Sequence, residues 1–519
     1  MDTAEYARKH IGLGNLGYEE NRNLARTLRE YHQYAEAIER FELASSLDAY
    51  NWFSQWGLAA CYAYKKDYAL AIEILEEAKK IMRGEDIAVG NVTIANLDRD
   101  LAQWNVDAGN IDRAVAIYET LLQDNPNDYH TALLLIILFH NEKNHEGLLR
   151  FLSSLKDSTD ESTGLDRRTQ IFHAHYDNAE YHTAIFALSS DTKAFDSIFE
   201  SYETAITAAM TRLAEGRKTG DSEEEEFGRA CQAILMQHLG DLCYENSSEN
   251  SERKEIAINQ WVRILQMEDW SDGYTLTSVK SYVRSKLASV YYIEALQDTE
   301  AAGPYIEQLE QLAALKNTSV FADWCYSTYP TCLVARYYAL QGDKVKAKDA
   351  LRAHVKGNLD ILVDDDPLND WQGYQGLATY LMFAGEDDDC LAAWSLIAPT
   401  ADTQPDEESL ESNSSQDLMG PLSAMCDGCC GKTWSFANDI YACRQCDDVQ
   451  FDLPCLNKLR AGTLDSTVCG KDHEMLHVPA YDAVEMEKIG DGNVKVGEQI
   501  MTVDEWIQRV KENWGIRAD

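Results

Sequence analysis

Apolar residues recur along the first third of the chain at the spacing of a helix face. In QYAEAIERFELASSLD (33–48), Ala37, Ile38, Phe41 and Ala44 return every three or four residues, the stripe that an amphipathic helix buries. DYALAIEILEEAKKI (67–81) repeats it: Tyr34 maps onto Tyr68, Ala37 onto Ala71, Ile38 onto Ile72, Phe41 onto Leu75 and Ala44 onto Ala78, each offset being 34 residues. A third copy, GNIDRAVAIYETLLQDNP (109–126), puts Ala114, Tyr118, Leu121 and Pro126 in the same roles after a nine-residue insertion. A fourth, weaker copy begins near Asp128, with Leu148 falling 34 residues after Ala114. The small residue lets a second helix come close to the first, and the aromatic or leucine four residues on fills the groove between them. Pro126, having no N–H to donate, stops its helix. One helical pair cannot cover its own apolar face, so the copies must stack.

The pattern returns in degraded form. Ala335 and Tyr338 with Gly342, Ala347 and Leu351 keep the internal spacing, as do Ala378, Leu381, Gly385, Cys390 and Trp394. LGDLCY (239–244) with AINQWVRIL (257–265) reads as a pair with a longer turn. DSEEEE (221–226) reads as the solvated start of a helix, and strand-like alternation is nearly absent before residue 400.

Composition narrows the class. Carboxylates outnumber Lys and Arg 88 to 46, for a net charge of -42 spread along the 519 residues. A nucleic-acid binder needs a basic stripe to replace phosphate counterions, so nucleic acid and anionic membrane surfaces are poor partners. The apolar runs fall far short of the ~20 residues that span a bilayer. MDTAEYARKH lacks the apolar core of a signal peptide, which predicts a cytoplasmic chain, or a nuclear one.

Seven of the thirteen cysteines lie between Cys426 and Cys469. The spacing is C-x2-C, thirteen residues, C-x2-C, five residues, D-x2-C, thirteen residues, then C-x3-H-x3-H, through Cys426, Cys429, Cys443, Cys446, Asp452, Cys455, Cys469, His473 and His477. Paired thiolates on a tight turn aim at one point, where a zinc ion would lie about 2.3 Å from each sulfur. Clustering of this kind points to metal rather than to disulfides. The set is large enough for two tetrahedral sites, structural rather than catalytic, because thiolate-rich closed sites leave no position for an activated water. Past it, VKVGEQIM (494–501) suggests a strand, and Thr502 with Glu505 forms a capping box opening a helix with Trp506, Val510 and Trp514 on one face.

The period and residue classes of the repeats resemble the tetratricopeptide repeat, over about residues 18–152. CDGC at Cys426, YACRQC at Tyr441 and HEMLH at His473 resemble a ZZ-type zinc finger, whose alternating pairs share metals in a cross-brace. By that resemblance Cys443 and Cys446 join two of Cys469, His473 and His477, while Cys426, Cys429 and Cys455 hold the other ion. Asp452 stands where that family has its fifth cysteine, so the first zinc site is conditional: Asp452 completes it, or Cys430 or water does, or it stays weak. The two resemblances imply an all-α fold, a tetratricopeptide-like helical-hairpin superhelix with a small zinc-stabilised C-terminal finger. The expected layout is N-terminal repeats over 1–158, degenerate helical repeats over 159–400, an acidic flexible linker over 401–422, the finger over 423–481, and a strand with an amphipathic helix over 482–519.

The implied function is a non-catalytic scaffold or adaptor for protein or peptide partners. In tetratricopeptide proteins the concave face often holds carboxylate-bearing peptides. Register places Arg22, Arg26 and Arg29 on one face of a first helix, with Arg99 equivalent two repeats later. ZZ fingers resemble peptide-end readers that hold an N-terminal amine beside acidic residues, here Asp427, Asp447 and Asp448. The whole layout also resembles the C-terminal sensor region of fungal NACHT-type signalling NTPases. Catalytic-looking words fail in context. HEMLH (473–477) matches the zinc-protease word, but Pro479 follows and thiolates compete for the metal; GLGNLG (12–17) has no preceding strand. GKT (431–433) lacks the earlier glycine of a phosphate loop, and HAH (173–175) reads as core or surface.

Overall fold

Small residues mark where the helices meet. The computed structural model describes residues 17–48, 50–85, 93–159, 164–189, 192–248, 250–268, 274–297, 300–315, 328–364, 369–397, 424–428, 430, 433–434, 439–446, 449–464, 468–480 and 482–517. The linker expected over 401–422, GLGNLG up to residue 16, Cys429, Asp447 and Asp448 lie outside the described residues. The chain forms two compact units, Met1–Gln260 and Trp261–Asp519.

In the first unit, four hairpins follow one another: α1 (Tyr18–Glu30) with α2 (Tyr34–Leu47), α3 (Trp52–Tyr64) with α4 (Tyr68–Glu85), α5 (Ile94–Asp107) with α6 (Ile111–Asp124), and α7 (Tyr129–Asn141) with α8 (His145–Lys156). Each helix packs on the next. Ala37, Ala71 and Ala114 are fully buried where second helices meet first ones, and Phe41, Leu75 and Tyr118 are at most 1% exposed beside them. Gly57 of α3 is required by this packing, since a Cβ there would lie 2.4 Å from the buried ring of Phe41.

The turn inside each hairpin carries a left-handed residue that the hydrophobic pattern does not announce. His32 (φ 59), Lys66 (φ 64), Gly109 (φ 80) and Lys143 (φ 54) occupy it, spaced by the repeat and its insertion, and Gly342 and Gly385 do the same later. The residue that follows donates its N–H five residues back, Asp67 to Tyr62 at 2.9 Å and Asn144 to Phe139 at 2.8 Å, which satisfies the last carbonyls of the first helix.

The unit continues with α9 (Arg167–Ala174), α10 (Ala179–Phe186), α11 (Thr192–Thr219) and α12 (Ser222–Glu245). Asp221 caps α12 by accepting from the N–H groups of Glu223 and Glu224, so the acidic run is the solvated helix start expected. His173 and His175 are fold residues whose Nε2 atoms bond the carbonyls of Ala205 and Tyr129. α13 (Ser251–Leu265) follows at the boundary between the units.

The second unit begins with α14 (Tyr274–Gln297), α15 (Ala302–Ala314), α16 (Tyr329–Leu340), α17 (Lys344–Ile361), α18 (Asp370–Ala384) and α19 (Asp387–Ile397), each packed on the next. Then come β1 (Ala424–Met425), β2 (Thr433–Trp434), β3 (Ile440–Cys443), β4 (Gln450–Phe451), α20 (Leu453–Ala461), β5 (Met475–Val478), α21 (Ala483–Ile489), β6 (Asn493–Val496), β7 (Gln499–Thr502) and α22 (Val503–Asn513). The strands pair antiparallel as β1–β2, β4–β3–β5 and β6–β7. The segment expected as one strand is thus a hairpin. Thr502 and Glu505 cap α22 reciprocally, and Trp506, Val510 and Trp514 are buried.

That tail is fixed to the helices. Trp506 Nε1 donates to Asp389 Oδ1 at 3.0 Å, and Arg352 Nε donates to the Trp514 carbonyl at 2.8 Å. The fold is all-α up to residue 397, built of tetratricopeptide-like hairpins, with a small cysteine-rich β module after it.

Candidate metal centre and interaction groove

The cysteine words fold into two interleaved clusters. Cys443 and Cys446 leave the end of β3 on a tight turn, and Cys469 and His473 arrive ahead of β5. Within this cluster His473 Nδ1 lies 3.5 Å from Cys443 Sγ, 3.3 Å from Cys446 Sγ and 3.4 Å from Cys469 Sγ, and Cys469 Sγ lies 3.6 and 3.8 Å from the other two sulfurs. A tetrahedron with metal–sulfur bonds of ~2.3 Å has edges of about 3.8 Å. The N–H groups of Gln445 and Cys446 donate to Cys443 Sγ at 3.4 and 3.2 Å, which favours its thiolate.

Charge bookkeeping argues the same way. Hydrogen bonds from Cys446 and Cys469 push the Cys443 thiol far down. Its thiolate then drives Cys446 up to about 12 and Cys469 well above the usual thiol range. Three thiolates together need a cation, and a divalent ion reverses the penalty. Soft sulfur with one imidazole, in four-fold geometry, is the donor set of structural zinc.

The second cluster gathers Cys426, Cys430, Asp452 and Cys455, with ligand atoms within 4.8 Å of one another. Asp452, buried, caps α20 by accepting from the Cys455 N–H at 2.7 Å, which brings its carboxylate beside that thiol. Its own N–H donates to Cys426 Sγ at 3.4 Å. A carboxylate is a competent zinc ligand, and Cys430 joins the set here.

His477 stands apart. It is exposed, its ring stacks on Tyr441 at 4.9 Å, and Nε2 lies 3.4 Å from Asp439. With Met475–Val478 a strand, His473 belongs to the first cluster and His477 is not among its members. The strand also removes the helix that a protease reading of HEMLH needs. Glu474 instead pairs with Arg336 and Arg444.

Arg444 lies between the two cysteines of the β3 turn and is 5% exposed. Its guanidinium forks onto Asp387 of α19 at 2.9 and 2.7 Å, a bidentate geometry that fixes orientation as well as distance. Tyr329 Oη donates to the Gln445 carbonyl at 2.6 Å. One turn therefore carries two cysteines of the first cluster and two anchors onto helices. Asp427 is occupied as well, accepting from the Gln450 N–H at 2.7 Å.

The first unit opens a groove of about 650 Å³ across α1–α5. Arg29, Tyr34, Trp56, Tyr64 and Trp104 line it. Trp56 Nε1 donates to Asp100 Oδ2 at 2.7 Å, and burial raises the Asp100 carboxyl above its ordinary value. Of the four arginines expected on one strip, only Arg29 lines this groove. Arg22 lies over the rings of Tyr18 and Phe53, Arg26 is 3.8 Å from Glu30, and Arg99 is held by Asp128 at 2.7 Å. The aromatic lining was not legible from spacing, since a tryptophan on a helix stripe reads as core until its neighbours are known. Among the described residues no helix is long and apolar enough to cross a membrane.

No family model matches the sequence, and no curated protein does. Solved structures do show likeness. YrrB, a tetratricopeptide-repeat protein with an unusual peptide-binding site, is 16% identical over 38% of this chain and 91% of its own, with a TM-score of 0.26. A tetratricopeptide-repeat protein from Parabacteroides merdae is 14% identical over 51% of this chain and 98% of its own, with a TM-score of 0.24. The C-terminal part of a repeat-containing protein from Cytophaga hutchinsonii is 14% identical over 68% of this chain and 98% of its own, with a TM-score of 0.30.

Proposed function

We propose that this chain is a non-catalytic interaction scaffold. Its N-terminal hairpins hold a partner peptide in the groove across α1–α5, and a ZZ-like finger with two structural zinc ions is set on the helices of the second unit. The observation that carries this reading is the groove, whose lining joins Arg29 with Tyr34, Trp56, Tyr64 and Trp104. Tyr and Trp give large contact area at low entropic cost, and an arginine beside them can fork onto a carboxylate. The partner is a protein or peptide, not nucleic acid or membrane, consistent with a net charge of -42. Cys443, Cys446, Cys469 and His473 would hold one zinc and Cys426, Cys430, Asp452 and Cys455 the other. The ions supply folding energy to a module with little core of its own.

The test is a peptide array with free C-terminal carboxylates against amidated copies, read by fluorescence polarisation on the full chain. Free-ended peptides should bind and amidated ones should not. Arg29→Ala should weaken the hits about tenfold, the loss expected for a charge-assisted bond. Indifference to both changes would discard the groove reading.

A further inference from the structure

The second unit carries an open cleft apart from both ligand clusters. It lies between α19, the residues leaving β5, α21 and the β6–β7 turn, and encloses about 380 Å³. Leu391, Trp394 and Met486 give it an apolar floor. Its rim is nearly one-signed, with Asp388, Asp482, Glu485 and Glu498 against Lys495 alone. Lys495 is already committed, its Nζ 2.7 Å from Glu485 Oε1. Asp482 caps α21, accepting from the N–H groups of Val484 and Glu485. Asp388 and Glu498 remain as exposed carboxylates at the mouth.

We propose that this cleft docks a segment of a protein partner in which one large aliphatic side chain is flanked by Lys or Arg. The floor takes the aliphatic group and the rim takes the cations. Charge decides between occupants. The chain's own residues 401–423 contain six carboxylates and no Lys or Arg, the wrong sign to enter. A second copy of a chain with net charge -42 is repelled as well. A basic segment gains from rim and floor together, and it also gains in encounter rate from the field of so acidic a protein.

The probes are fluorescein-labelled nonapeptides with a central Leu, Ile or Met flanked on both sides by Arg or Lys, and copies with Glu in place of each cation. Both ends are blocked, so no terminal amine or carboxylate contributes. Titrated against the full zinc-loaded chain, the basic peptides should bind with affinity that falls as salt rises, and the Glu copies should not. The double variant Asp388→Lys, Glu498→Lys changes two exposed residues and should weaken binding about tenfold, the sum of two small rim terms each reversed in sign, while Arg29→Ala should leave it unchanged. On the unaltered protein, a photoreactive benzoylphenylalanine at the aliphatic position should crosslink within 391–395 or 478–489. Full affinity in the double variant, equal binding of the Glu copies, no binding at all, or crosslinks elsewhere would each overturn the proposal.

Discussion

In hairpins α1–α8 the core is a matter of shape: alanines at 0% exposure admit a neighbouring helix, and rings such as Phe41 and Tyr118 fill what remains. Between β1 and β5 the core is a matter of chemistry: strands of two to four residues surround two four-member clusters of Cys, His and Asp that could each hold a metal ion. The hairpins tolerate drift in sequence, because any small–large pair of the right volume packs, and their later copies are indeed degenerate. The ligand clusters tolerate little, because each donor atom has a fixed place. Shape-built regions should therefore fail gradually, and the chemistry-built region all at once.

The sharpest test is Cys443→Ser. The apparent metal energy at stake is on the order of 10–16 kcal/mol. Native mass spectrometry should show one zinc fewer per chain, and hydrogen exchange should show 440–478 unprotected while the four N-terminal hairpins stay protected. Protection lost in both regions would break the comparison.

Gly57→Ala probes shape alone. The added Cβ meets the Phe41 ring at 2.4 Å, so a loss of about 1–3 kcal/mol is expected. Denaturant titration should read it, with zinc content unchanged.

Acid gives a third handle. His182 Nε2 faces the Tyr176 carbonyl at 2.9 Å, which only accepts, so Nε2 donates and Nδ1 accepts from Tyr202 Oη at 2.6 Å. The ring stacks on His238 at 3.6 Å, and burial depresses its pKa to about 4. Stability is complete above the unfolded value near 6.5 and drains as pH falls toward the folded value. Roughly 2 kcal/mol should be lost by pH 5 from this ring. His182→Gln should flatten that part of the stability–pH curve; an unchanged slope would assign the acid loss elsewhere.

The smallest effect is a gain. Lys143 sits at φ 54, where an L side chain is strained, so Lys143→Gly should stabilise by about 0.5–1 kcal/mol, read as a higher melting temperature.

Much of this was legible in the sequence because it is local or periodic. The 34-residue offset is a period that self-comparison finds, and the Ala37–Phe41 pair, the Asp221 cap and the Thr502–Glu505 box each depend on residues a few positions apart. The Cys443–Cys446 word was legible for the same reason, since C-x2-C states its own turn, whereas the second cluster joins Cys426 to Cys430, a spacing the words did not single out. Contacts between distant segments were not. Nothing near Arg444 names Asp387, and the Trp506–Asp389 bond joins residues 117 apart. The choice of His473 over His477 waited on β5 being a strand, because on a helix the two would share a face.

The place of Arg444 has a consequence for proteolysis between α19 and β1. The β3 turn and α19 hold each other directly, as do Trp506 and Asp389, so the cysteine-rich module has its own attachments to α19 besides the backbone between residues 398 and 423. A single backbone cut inside it should nick the protein without releasing the C-terminal piece, which would migrate with the rest until its zinc was withdrawn.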